Sequence, residues 1–127
     1  MKVLASTDGS KYGRWAIEWL AQIPFVTPPV VRVLHVVDVG SLRAPFMIQS
    51  VVAGTERYIQ AEIKRMESAA KATKQESLRL LGSLGLKGTV MVERGGVAAT
   101  IVKQAKQGVA LLSIGSRGLD ALDRFMV

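Results

Sequence analysis

Apolar residues along this chain follow two rhythms. Short unbroken apolar runs alternate with longer stretches in which apolar positions recur every three or four residues. Residues 2–6 form the first run and read as a buried strand. Thr7, Asp8, Gly9 and Ser10 follow as a turn, with Ser10 placed to cap a helix. Trp15, Ile17, Trp19, Leu20 and Ile23 then give a broad apolar face at helical spacing, and Pro24, Pro28 and Pro29 end that helix. Residues 30–37 are almost continuously apolar and rich in valine, as a parallel strand covered on both faces requires. Residues 38–45 read as a loop.

The next stretch is the longest. Between residues 48 and 84 there is no proline, and Tyr58, Ile59, Ile63, Met66, Ala70, Leu78 and Leu81 recur at helical spacing. This predicts a long helix with a weak point at Gly54, ended by Gly82 and Gly85. Residues 89–93 form a third strand, and Gly95-Gly96 a turn. Residues 97–107 form a short helix carrying Ile101, Val102 and Ala105, closed by Gly108. Residues 109–114 form a fourth strand, followed by Gly115-Ser116-Arg117-Gly118. The order βαβαβαβα predicts one α/β domain over residues 1–127, a parallel sheet with helices on both faces.

Composition narrows the function. The chain has 127 residues, enough for a single core, and no cysteine, which removes disulfides, thiolate metal sites and a cysteine nucleophile. No apolar run reaches the roughly 18 residues of a membrane span, and the first residues do not resemble a secretory signal. The expected compartment is the cytoplasm. The net charge of +7 raises the question of nucleic acid. Its distribution answers against it. The densest cations, Lys64, Arg65, Lys71, Lys74 and Arg79, alternate with Glu62, Glu67 and Glu76, as on a solvated helix face, and no aromatics are interleaved to stack bases.

In an open parallel sheet a ligand sits beyond the carboxyl ends of the strands, so those loops are the ones to inspect. Asp8 can accept from a ribose diol, or simply from its own turn backbone. Gly115 and Gly118 permit backbone N–H groups to approach an anion, or form a plain turn. His35, the single histidine, lies inside an apolar strand and reads as structural. Neither a nucleophile elbow, a Walker A pattern nor Gly-x-Gly-x-x-Gly is present. One histidine and no clustered carboxylates leave little for a metal.

Three stretches taken together, VLASTDGS at residues 3–10, VLHVVD at 33–38 and LLSIGSRGLDALDRFMV at 111–127, resemble the universal stress protein family. The resemblance runs the length of the chain. It implies a Rossmann-like, flavodoxin-type fold, a homodimer and a cytoplasmic role in stress response. One class of the family binds ATP and another does not. For the ATP class the resemblance implies that Asp8 holds the ribose, with Thr7 beside it. Val36 contacts adenine, and Ile114 closes over the base. Gly115, Ser116 and Gly118 belong to the phosphate motif Gly-x2-Gly-x9-Gly. Val97 stands where the family often has proline.

The ligand expected on this basis is ATP or ADP, with Mg²⁺ as its companion ion. No general base is visible, so the expectation is a binding protein and not an enzyme. The alternative is a dimeric interaction module of the same fold that binds no nucleotide. A flavin carrier is a weaker third reading. The third glycine of the motif would follow Val127, so the sequence also predicts further residues there, including a last edge strand beside the fourth.

Overall fold

The structure, a computed structural model, describes residues 1–40 and 55–115. Four strands, β1 (Lys2–Ser6), β2 (Val30–Val37), β3 (Lys87–Arg94) and β4 (Leu111–Ile114), form one sheet. Its order is β3-β2-β1-β4, and every pairing is parallel. Among the described residues the helices α1 (Lys11–Glu18), α2 (Thr55–Ser83) and α3 (Val97–Ala105) connect the strands, with a 3-10 turn over Trp19–Gln22 extending α1. The α/β architecture follows the alternating pattern of the sequence.

The two central strands, β1 and β2, are covered on both faces. Val3, Ala5, Val31, Val33 and Val90 pack with Ile17, Leu20 and Leu81, placing α1 and α2 on one side. Leu4 and Leu34 pack with Ile101 of α3 on the other. Neighbouring side chains of a strand point to opposite faces, so two apolar neighbours in β1 serve two separate cores. Burying a side chain such as Leu4 or Leu34 is worth about 1.5–3 kcal/mol. One polar relay crosses the α3 side. Arg32 Nη1 donates to Gln104 Oε1 at 3.2 Å, and Gln104 Nε2 donates to Glu93 Oε1 at 3.1 Å.

Three expectations change. The inner face of the first helix is Gly13, Ala16, Ile17 and Leu20. Trp15 and Trp19 stand 48% and 63% exposed, and Ile23 is also exposed. The small residues face inward because the helix lies close against the sheet. The capping position of α1 is Ser10, but its side chain makes no capping bond to the helix. The expected loop at 38–45 begins with helical backbone at Val39 and Gly40. The rest of that loop, the Gly54 weak point and the expected edge strand after Val127 lie outside the described residues. At the end of the described sheet stands β4, paired only with β1.

Mixed charge on α2 resolves into pairs. Arg65 bonds Glu62 at 2.8 Å within the helix, and that hydrogen bond, then the attraction of the same carboxylate, raises the guanidinium pKa. Glu67 pairs with Arg94 of β3, and Glu76 with Arg14 of α1. The latter two tie α2 to its neighbours.

Close packing gives a paired prediction. A Cβ on Gly13 would lie 2.2 Å from Thr7 Oγ1, whereas one on Gly82 meets nothing within 4 Å. Gly13→Ala should therefore cost about 1–3 kcal/mol by overpacking. Gly82→Ala, late in α2, should gain about 0.5–1 kcal/mol through helix propensity. Urea denaturation of both variants checks the opposite signs.

Candidate functional site

The sheet reverses direction at β1. From β1 the chain steps outward to β2 and then β3, before α3 carries it back across to β4 on the other side of β1. The carboxyl ends of β1 and β4 therefore flank the switch point, where ligands of open α/β sheets bind. Ser6 stands in register with both Leu34 and Ile114. Beyond Ser6, β1 has ended while β2 continues through Val37, which leaves a step in the sheet edge.

Thr7 opens the β1–α1 loop. Its backbone N–H donates to the Leu34 carbonyl at 2.9 Å, and its hydroxyl accepts from the Gly9 N–H at 3.1 Å. The side chain is buried against Gly13, so it braces the loop from below. His35 supports the same residue. Its Nδ1 lies 2.8 Å from the Thr7 carbonyl, which can only accept, so the ring must donate there. This is the structural role expected of it.

Asp8 is exposed at the edge. Its Oδ1 accepts from the Ser10 N–H at 2.9 Å and from the Ser10 hydroxyl. The serine thus orients the carboxylate, and the carboxylate holds the turn. Gly9 takes φ +84°, a conformation that glycine adopts without strain.

Val36 and Ile114 lie on the α3 side of the sheet and pack around the Leu4, Leu34 and Ile101 cluster. They flank the end of β1 from the strands on either side, Ile114 level with Ser6 and Val36 two residues beyond that level. Both are half-buried. Gly115 follows Ile114 directly. A Cβ there would come within 2.9 Å of the Tyr12 backbone, so the end of β4 presses against the first turn of α1. The edge thus gathers Thr7, Asp8, Val36, Ile114 and Gly115. Ser116 and Gly118 lie outside the described residues.

On the α2 side of the loop, Thr7, Gly9, Ser10, Arg14, Thr73 and Glu76 line a crevice of about 10 Å³. That volume admits about one water and no ligand. A larger crevice of about 320 Å³ opens between α2 and the ends of β2 and β3, with Lys71, Lys74 and Arg94 on its rim. The sequence signalled it only as two lysines three residues apart on a helix, plus an arginine ending a strand. Among the described residues there is no cluster of metal-ligating side chains, and no helix is long and apolar enough to cross a membrane.

The fold and this edge can be set beside known proteins. The family model described as the universal stress protein family matches residues 1–127. The chain belongs to that family. A universal stress protein from Burkholderia pseudomallei shares 14% identity and a TM-score of 0.74, covering 98% of this chain and 86% of its own. The universal stress protein UspA of Lactobacillus plantarum shares 16% identity and a TM-score of 0.68, covering 98% and 90%. The protein MJ0577, the subject of a structure-based assignment of biochemical function, shares 21% identity and a TM-score of 0.69, covering 87% and 71%. At these identities the likeness is one of fold. Comparison with curated protein sequences gives no match.

The contact at Gly115 carries its own prediction. Gly115→Ala should destabilise the protein by about 1–3 kcal/mol with no nucleotide present, because the new methyl meets backbone that cannot swing aside. Thermal unfolding in nucleotide-free buffer measures this. An unchanged midpoint would mean that the glycine is needed only for a ligand.

Proposed function

We propose that this universal stress protein binds an adenine nucleotide, ATP or ADP, at the edge beside β1 and β4. The observation that carries the reading is the convergence of Asp8, Val36 and Ile114-Gly115 from three strand ends on the switch point. In this reading the exposed Asp8 carboxylate accepts from the ribose hydroxyls. The base lies in the step beyond Ser6, against the outward sides of Val36 and Ile114. The phosphates approach the backbone at Gly115 and the residues after it, with Mg²⁺ as counter-ion.

The role in this reading is binding and signalling in a cytoplasmic stress response, not catalysis. A general base needs hydrogen-bond reach of an attacking water, and among the described residues His35 and Asp8 at this edge are already engaged. The His35 ring is bound to the Thr7 carbonyl, and Asp8 holds its own turn. A homodimer follows from the family resemblance.

Two observations favour the second reading, a dimeric interaction module that binds no nucleotide. Asp8 already accepts from Ser10, and Gly115 already has a packing reason to be glycine. Neither residue requires a ligand to explain it. Asp8→Ala decides between the readings. If the carboxylate holds ribose, the substitution should weaken ATP binding by about 1–3 kcal/mol, the cost of leaving ligand hydroxyls unpaired. Isothermal calorimetry with ATP and ADP on wild type and variant measures this. Absence of heat with the wild type would favour the interaction module.

A further inference from the structure

The crevice between α2 and the ends of β2 and β3 lies on the opposite sheet face from Val36 and Ile114. Its floor is Val37, Ala70 and Val92, and its rim is Lys71, Lys74 and Arg94, with Glu67 as the one acidic lining residue among the described residues. Glu67 is already taken up by the ion pair with Arg94. Lys71 and Lys74 have no ion-pair partner among the described residues. Being three apart on a helix, they face the same way and repel. Val92 remains 39% exposed on the floor.

Each feature alone is ordinary for a surface. Together they leave three cations against one carboxylate around an apolar depression of about 320 Å³, within the range of small-molecule sites. An inorganic anion would answer the charge and leave the floor wet. An apolar molecule would cover the floor and leave the lysines uncompensated. We infer that this crevice is a second ligand site, for a small organic anion with a flat or chain-like apolar body and a phosphate or carboxylate head. The body covers Val37, Ala70 and Val92. The head takes charge-assisted hydrogen bonds from Lys71 and Lys74, while Arg94 is held on the rim by Glu67.

The inference is independent of nucleotide binding at the β1–β4 edge, and the test separates the two. Naphthyl phosphate is titrated into the isotope-labelled full chain at low salt, and backbone amide shifts are followed. Saturable shifts are expected at Val37, Ala70, Lys71, Lys74, Val92 and Arg94, undiminished by excess ATP. Inorganic phosphate and naphthalene methanol, carrying head or body alone, should each bind at least about tenfold more weakly. The double variant Lys71→Gln/Lys74→Gln should lose about tenfold or more in affinity for naphthyl phosphate. Its circular dichroism should be unchanged, since both side chains are exposed. Three results would overturn the proposal: shifts centred on Val36, Ile114 and Gly115 with competition by ATP, equal binding by the double variant, or equal binding of either fragment. Failure of ATP to bind anywhere would leave this site standing.

Discussion

Strand β1 has no exposed side. Val3, Leu4 and Ala5 are fully buried, hydrogen-bonded to β2 along one edge and to β4 along the other. A strand so enclosed needs helices on both faces of the sheet. In a chain with right-handed crossovers, helices come to both faces only if the direction of winding reverses. The reversal occurs at β1, between the outward run through β2 and β3 and the return to β4. Burial of Val3, Leu4 and Ala5 near the N-terminus thus dictates where the switch point falls. It also dictates which loops meet there. The edge carrying Thr7, Asp8 and Gly115 is a consequence of that core before it is anything else.

The same packing complicates glycine as a functional signal. Gly115 reads from sequence as the start of a phosphate turn, and the structure gives it another duty, clearance for the backbone of Tyr12. Gly13, the residue after Tyr12 in α1, does the equivalent for Thr7. Both contacts arise because α1 is drawn against the switch point, and a helix so close cannot tolerate a Cβ at its nearest approach. Close approach of backbone to backbone and close approach of backbone to phosphate demand the same residue. At such a position the sequence says that something comes near, and only geometry says what.

Much of the fold was legible because its signals are redundant. The run at residues 30–37 coincides with β2, and the apolar spacing from Tyr58 to Leu81 falls within α2. The candidate edge was legible in part. Strand ends place Asp8, Val36 and Ile114 at one border of the sheet. The hydrogen bonds of Asp8 to Ser10 and of His35 to Thr7 depend on distances that no spacing rule contains. The clearest misreading was the face of α1. Counting large apolar residues selects Trp15, Ile17, Trp19, Leu20 and Ile23, and of these Ile17 and Leu20 are buried while the other three are exposed. The helix turns Gly13, Ala16, Ile17 and Leu20 inward, because a short helix lying close to a sheet selects for small volume as well as apolarity. A tryptophan on the inner face would hold the helix off the sheet. On the outer face Trp15 packs edge-on against Tyr12, with Lys11 over both rings.

Charge was the property that sequence averaged away. Along α2 lysines and arginines alternate with glutamates, and a one-dimensional reading treats them as mutual neighbours on a solvated face. In three dimensions three of the glutamates choose arginines. Glu62 takes Arg65 within the helix, while Glu67 and Glu76 reach to Arg94 on β3 and Arg14 on α1. Arginine wins these places because its planar fork can make paired hydrogen bonds across elements, whereas lysine presents a strongly hydrated point charge on a flexible stem. The pairing sorts the helix. Its carboxylates are drawn to the seams with α1 and β3, and Lys71 and Lys74 are left beside the crevice without acidic compensation. A helix that looks balanced in composition therefore presents a cationic patch on the side where β2 and β3 end. The segregation follows from which cations can reach across a seam, so it would persist under any exchange of lysines on the outer face. Moving one glutamate from a seam to position 71 or 74 would remove it.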